Sequence, residues 1–235
     1  EIAIIVKSKE KDRFFSLLGN GEKFGIDITY LIQDKPNGLA EAFIIAENFI
    51  GQSNVTLILG DNIFYGDALK NSLSEDFTRG AKIVCCTVND PERYGVAKIE
   101  GQKVIQIVEK PDEFISHFAV TGIYVYDNSV VKKAKSLSPS SRGELEITDL
   151  NNLFINEGTL QGSFLDSEMI WMDTGTFDSL HDASALVKAL QHRSGHLIGS
   201  PELVAYHNNW ISKDSLLVNL NSNNPYEESL LSSLD

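Results

Sequence analysis

The sequence predicts an α/β protein: a doubly wound sheet, mixed but mostly parallel, over residues 1–193, with a helical appendage over residues 194–235. Three observations predict it. Apolar runs of strand length alternate with stretches of helical periodicity. The run Val55-Thr56-Leu57-Ile58-Leu59 is nearly unbroken in its apolar character and reads as a strand buried on both faces. It ends in Gly60-Asp61-Asn62, which delivers a carboxylate to the carboxyl edge of the sheet, where open α/β folds bind ligands.

Taken in order, Ile2–Val6 reads as a strand, and Ser8 is placed to cap a helix that runs through Lys11, Phe14, Phe15, Leu17 and Leu18 and stops near Gly19. A strand over Ile26–Ile32 follows. Glycines 19, 21 and 25 follow a helix and precede a strand, the reverse of a dinucleotide loop, so they read as a helix end and a turn. Gln33–Gly38 is a strand-to-helix loop, and Leu39, Phe43, Ala46 and Ile50 form one helical stripe behind it. After the Val55 strand come a helix around Asp67–Phe77 and a strand over Ala81–Val88. Beyond them Val96–Ile99 and Lys103–Val108 form a hairpin around Glu100-Gly101-Gln102. Pro111 predicts an extended Lys110, with Glu109 and Lys110 projecting to opposite sides. Phe118–Tyr126 is a core strand whose Gly122 suggests close approach by a ligand or another backbone. Helices follow at Ser129–Lys135 and Leu145–Asn156, then a short strand over Leu160–Leu165. A second carboxylate, Asp173, stands just before a helix reaching His192. Pro201 and Pro225 suit two later helix starts, Asn219–Asn224 reads as a loop, and Leu230 and Leu231 are expected to dock the last helix.

Composition bounds the function. The 235 residues carry 33 acidic and 20 basic side chains, a net charge of −13, which argues against nucleic-acid or membrane-surface binding by bulk attraction. A phosphate site has to be built locally. Adjacent Cys85 and Cys86 in an apolar strand point to opposite faces and read as buried thiols, which suits a reducing cytoplasm. No apolar run approaches the roughly 18 residues of a membrane span. The chain opens without methionine on Glu1–Lys7, which already reads as a buried strand, so residues upstream are expected.

Several side chains have the chemistry of a phosphate site. Asp61 suits a hard cation such as Mg²⁺, which prefers carboxylate oxygen together with substrate phosphates. Its alternative is a turn or helix cap. Asp173 carries the same two readings, metal ligand or N-cap. Gln33, with an acceptor and two donors, can read a nucleobase edge, and Gly38 would allow a ring to approach, against the alternative of a plain loop glutamine and a helix-start glycine. Lys110 can neutralise a phosphate and Glu109 can accept from sugar hydroxyls, against the alternative of a solvated charge pair. No G-x-S-x-G or paired C-x-x-C occurs, so hydrolase and zinc readings have no anchor.

These motifs stand in a familiar order. Gln33–Phe43 (QDKPNGLAEAF), Leu59–Gly66 (LGDNIFYG), Val88–Val96 (VNDPERYGV), Glu109-Lys110-Pro111, Ala119–Gly122 (AVTG), Arg142–Asp149 (RGELEITD) and Trp171–Thr176 (WMDTGT) together resemble the glucose-1-phosphate thymidylyltransferases, a family of sugar nucleotidyltransferases, along essentially the whole chain. The resemblance implies a Rossmann-like fold of the nucleotide-diphospho-sugar transferase type. It implies transfer of a thymidylyl group from dTTP to glucose 1-phosphate, giving dTDP-glucose and pyrophosphate for deoxysugar biosynthesis of the dTDP-rhamnose kind. Asp61 and Asp173 would match the Mg²⁺ carboxylates and Lys110 the lysine on the sugar phosphate. Gln33 and Gly38 would match base-recognising positions, and Asn62, Gly95, Glu109, Val120 and Trp171 those that surround sugar or nucleotide. A homotetramer and a feedback site for a dTDP-sugar are also implied. So is an upstream glycine-rich loop carrying an arginine and then a lysine, which activity is expected to require. A non-catalytic sugar-nucleotide-binding protein and a sister enzyme using UTP are the alternatives.

Overall fold

The computed structural model describes residues 1–74, 77–101, 103–165, 169–218, 220 and 224–234. Its elements in the first half are β1 (Ile2–Val6), α1 (Lys11–Leu18), β2 (Ile28–Ile32), α2 (Glu41–Ile45), α3 (Glu47–Ile50), β3 (Val55–Ile58), β4 (Asn62–Tyr65), α4 (Ala68–Ser74), β5 (Ala81–Thr87), β6 (Gly95–Glu100) and β7 (Lys103–Glu109). The second half adds β8 (Phe118–Tyr126), α5 (Ser129–Ser136), α6 (Ile147–Asn156), β9 (Leu160–Phe164), β10 (Ile170–Asp173), α7 (Phe177–Ser194), α8 (Pro201–His207), α9 (Lys213–Val218) and α10 (Pro225–Ser232). Of the expected loop over 219–224, only residues 220 and 224 are described; Gln102 and residues 75 and 76 also lie outside the described residues.

The chain forms two compact units, one of Glu1–Lys35 with His181–Asp235 and one of Pro36–Leu180. This division falls elsewhere than at 193/194, and in the first unit β1 pairs in parallel with β2 and, among the described residues, with no other strand, Ile2 opposite Ile28 and Val6 opposite Ile32. In this first unit the expected Ser8 cap gives way to a tie between loops. The Ser8 backbone N–H and hydroxyl both donate to Asp34 Oδ1, at 2.8 and 2.7 Å, and Ser8 opens a 3-10 turn, Ser8–Glu10, that precedes α1. Those two bonds hold the Asp34 carboxyl below its ordinary range. The C-terminal helices close around Leu203, Leu216 and Leu230, so Leu230 docks α10 as expected. Ser200 and Asn224 cap α8 and α10, each ahead of a first-turn proline.

The second unit is organised by β8. A six-stranded sheet runs in the order β7-β6-β8-β5-β9, with β3 paired to β8 off this path. Pairing is mixed, as expected, with a larger antiparallel share than expected: β5 and β9 run parallel, whereas β3, β5 and β6 all meet β8 antiparallel and β6 meets β7 antiparallel. The Val55 strand is therefore not buried on both faces. Among the described residues β3 pairs only with β8, and it is open on one face, with Ile58 58% exposed. Its apolar run reflects packing of alternate residues and not burial on both faces. The expected single helix behind Gly38 is broken at Ala46 into α2 and α3. β4 and β10 form a separate antiparallel ribbon that sets Asn62 opposite Asp173.

Phe43 from α2 and Phe154 from α6 lie against the Tyr126 ring at centroid distances of 5.1 and 5.4 Å. The Tyr126 hydroxyl donates to Asn151 Oδ1 at 2.7 Å with both residues buried. Tyr126→Phe is expected to cost about 1–3 kcal/mol of stability, because the buried Asn151 oxygen then lacks its donor; urea unfolding of the two proteins measures it. Cys85 and Cys86 are free, buried thiols. Burial pushes Cys86 up to about 11 and raises Cys85 as well. Both thiols are thus protonated at pH 8. Neither is expected to react with a disulfide reagent there until the protein is unfolded, which absorbance of the released thiolate reads directly.

Candidate active site

A cleft in the second unit follows from the way β8 is shared. β5 occupies one edge of β8 along nearly its whole length, so β6 and β3 must share the other. β6 touches it at Ala119, near the start, and β3 pairs with Ile123–Tyr126, near the end. Between them the sheet is split at Val120–Gly122. There a cleft of about 200 Å³ opens, lined by Asp61, Asn62, Gly95, Glu109, Lys110, Val120, Trp171 and Asp173 among others.

On the β3 side, the chain leaves the sheet at Leu59, whose N–H donates to Gly122 O at 2.9 Å, and turns through Gly60 to Asp61. The β4–β10 ribbon then brings Asp173 alongside, opposite Asn62. The two carboxylates border one space: a methyl on Gly175 would stand 3.1 Å from Asp173 Oδ1 and 3.7 Å from Asp61 Oδ2. Asp61 is not a helix cap, since an extended strand follows it; it sits in a turn in which the Asn62 N–H donates to Leu59 O at 3.2 Å. Nor does Asp173 cap α7. Thr176 does, its Oγ1 accepting from the Ser179 N–H at 3.1 Å, while Asp173 Oδ1 accepts from the Gly175 N–H at 3.0 Å. Two carboxylates with no third acid, histidine or cysteine clustered beside them among the described residues suit Mg²⁺, which takes one or two carboxylates and completes its shell with phosphate and water.

On the β6–β7 side, Gly95 pairs with Glu109 across the hairpin. The Glu109 carboxylate accepts from the Thr148 hydroxyl at 2.8 Å, which fixes one oxygen. Lys110 is not extended. Its φ of 44° is in the left-handed region, and its N–H donates to Tyr94 O at 2.9 Å, so the chain turns and Glu109 and Lys110 both line the same cleft. A non-glycine residue in that region, ahead of a proline, is strained, and the Tyr94 carbonyl holds it there. The Lys110 ammonium has no ion pair among the described residues. Tyr94 links the two sides, its ring 4.9 Å from Trp171 and 5.3 Å from the Arg93 guanidinium. Arg142 grips Glu146, Nη2 to Oε2 at 2.7 Å, with Glu109 4.0 Å away. Burial alone would raise the Glu146 carboxyl, but hydrogen bonds from Arg142 and Ser140 and the charges of Arg142 and Lys110 outweigh it and hold Glu146 below its ordinary range.

Eight of the ten expected site residues thus line one cleft. Gly38 does not line it; its φ is 103° and a methyl there would meet Leu145 O at 2.3 Å, so close backbone packing accounts for the glycine. Gln33 belongs to the first unit, where its N–H donates to Val6 O at 3.0 Å. Gly122 lines the cleft, and the space its Cβ would fill is taken by the Asn62 and Leu59 side chains. Tyr94, Arg93, Thr148 and Asn151 also line the cleft and were not singled out from the sequence. Tyr94 and Thr148 fall inside the quoted VNDPERYGV and RGELEITD stretches, which was the available signal.

Comparison with known proteins agrees with this arrangement. The sequence model of the family described as "Nucleotidyl transferase" matches residues 1–189. A glucose-1-phosphate thymidylyltransferase of Neisseria meningitidis serogroup A is 43% identical over 98% of this chain and 82% of the relative. That of Mycobacterium tuberculosis is 41% identical over 92% of this chain and 76% of the relative. A crystal structure from Bacillus anthracis, named for the same activity and holding a sucrose, superposes with a TM-score of 0.72 at 43% identity, covering 79% of this chain and 75% of that one. A UDP-glucose pyrophosphorylase complexed with UDP-glucose superposes at 0.68 with 20% identity over 78% of this chain and 79% of that one, a likeness of fold alone.

Proposed function

The chain belongs to the nucleotidyl transferase family, and from that premise we propose that it transfers the thymidylyl group of dTTP to glucose 1-phosphate, yielding dTDP-glucose and pyrophosphate. Relatives 41–44% identical to it carry that activity in their names. The observation that carries the reading is the cleft at the split in the sheet, where two carboxylates and a lysine that makes no ion pair among the described residues line the same space.

The reaction asks little covalent chemistry of the protein. An oxygen of the sugar phosphate attacks the α-phosphorus of dTTP; that P–O bond forms as the bond to the bridging α–β oxygen breaks, and pyrophosphate leaves with the electron pair. The attacking oxygen is already anionic, so no strong general base is needed. Positioning and charge neutralisation supply the catalysis. Lys110 would neutralise the acceptor phosphate, held ready by its turned backbone. Glu109, with one oxygen fixed by Thr148, would accept from sugar hydroxyls. Gly95 and Val120 would form the wall against the sugar ring, and Trp171 the floor beside Tyr94. Asp61 and Asp173 would hold Mg²⁺, which when bound neutralises phosphate charge. Gln33 and Gly38 are assigned to the base on the resemblance alone.

The proposal extends to a place in nucleotide-sugar biosynthesis that feeds deoxysugars, to a tetrameric assembly and to feedback by a dTDP-sugar. No helix among the described residues is long and apolar enough to cross a membrane, and we place the chain in the cytoplasm. A panel of dTTP, UTP, ATP and CTP offered with glucose 1-phosphate and Mg²⁺, with products separated by chromatography, tests the donor. dTDP-glucose is the expected main product. Faster formation of UDP-glucose would make the chain a sister enzyme instead.

A further inference from the structure

Asn62 is expected from the resemblance to touch sugar or nucleotide, yet its carboxamide is almost wholly engaged inside the protein. Its Oδ1 accepts two hydrogen bonds, from Trp171 Nε1 at 2.7 Å and from the Gly122 backbone N–H at 2.9 Å. Its Nδ2 donates to Asp61 Oδ1 at 2.8 Å. An indole N–H and a backbone N–H can only donate, so the oxygen end of the carboxamide is assigned by its neighbours and the NH₂ end must face Asp61. One N–H is left for anything else.

The group therefore bridges three separate pieces of chain: β8 at Gly122, β10 at Trp171 and the turn that carries Asp61. Its place is enforced sterically too, since a methyl on Gly122 would stand 2.6 Å from Asn62 Oδ1. The backbone of Asp61 is held in the same region, where its carbonyl accepts from both the N–H and the hydroxyl of Thr174, each at 2.8 Å. With Oδ1 turned to Asn62, the Asp61 oxygen that borders the space beside Asp173 is Oδ2.

We propose that Asn62 is a positioning residue for the divalent cation. It aims the Asp61 carboxylate so that Oδ2 faces the cation and Oδ1 is fixed. The claim rests on the proposed function for what the cation is used for, but not for whether it binds. Partners that orient metal-ligating carboxylates typically change metal affinity by about 10–100-fold when removed.

The test measures Mn²⁺ binding, from the electron paramagnetic resonance of the free ion with and without dTTP, together with steady-state kinetics. In Asn62→Ala the Mn²⁺ dissociation constant is expected to rise about tenfold or more. Unchanged Mn²⁺ binding, with or without a raised KM for glucose 1-phosphate, overturns the proposal. Gly122→Ala displaces the carboxamide without deleting it, so it is expected to weaken Mn²⁺ binding as well, and it decides the matter if Asn62→Ala does not fold; unchanged binding there overturns the proposal too. A parent protein that binds no Mn²⁺ also overturns it. A parent that binds Mn²⁺ but forms no sugar nucleotide defeats the proposed function and leaves the Mn²⁺ comparison to decide the role of Asn62.

Discussion

Asp173→Asn is expected to lower turnover by about two to three orders of magnitude, the loss seen when one group that stabilises developing charge is removed, while the melting temperature stays the same or rises slightly. The sign of the stability effect follows from two contacts. Asparagine keeps the Oδ1 that accepts from the Gly175 N–H, so the local turn survives. It also removes a negative charge from the space shared with Asp61, and without a cation two like charges there repel. A fold change of this size with an intact fold separates a functional carboxylate from a structural one. Full turnover at saturating Mg²⁺ would remove Asp173 from the reaction.

Lys110→Ala is expected to lower kcat/KM for glucose 1-phosphate by about 10–100-fold, the equivalent of a charge-assisted hydrogen bond of about 1.5–3 kcal/mol. The KM for dTTP should change less, because the lysine is assigned to the acceptor. Stability is expected to change little: the ammonium has no ion pair among the described residues, and the backbone bond to Tyr94 O does not depend on the side chain. Steady-state kinetics with each substrate varied in turn checks the assignment. An unchanged KM and kcat for the sugar phosphate would return Lys110 to the role of a solvated charge.

Much of the fold could be read along the chain. The hairpin of β6 and β7, the core strand β8 and the proline-started α8 and α10 lie where periodicity and capping chemistry put them. What could not be read was pairing. Alternation of strands and helices says how segments are connected, not which edges meet, so the apolar run of β3 reads as buried on both faces when β8 is the shared strand. For the same reason spacing alone left Asp61 and Asp173 as separate candidates, paired only by the resemblance; the β4–β10 ladder, between segments more than a hundred residues apart, is what places Asn62 opposite Asp173.

Local rules also lost to tertiary contacts in particular places. The residue before a proline favours an extended conformation, yet Lys110 is turned because Tyr94 O accepts its N–H. Ser8 had the chemistry of a cap but met Asp34 across the first unit. Asp173 has the chemistry of a cap as well as of a ligand, but Thr176 holds the capping position. Strain at Lys110 and a glycine at 122 that admits the Asn62 carboxamide are departures of the kind concentrated at functional sites.

The central claim is nucleotidyl transfer at this cleft, and the fate of the α-phosphorus tests it most directly. The full-length protein is incubated with dTTP labelled at the α-phosphorus, glucose 1-phosphate and Mg²⁺, and the labelled products are resolved. The account predicts that the label passes into dTDP-glucose while unlabelled pyrophosphate accumulates in equal amount. Label recovered only as dTTP or dTMP, with no sugar nucleotide formed, would contradict it.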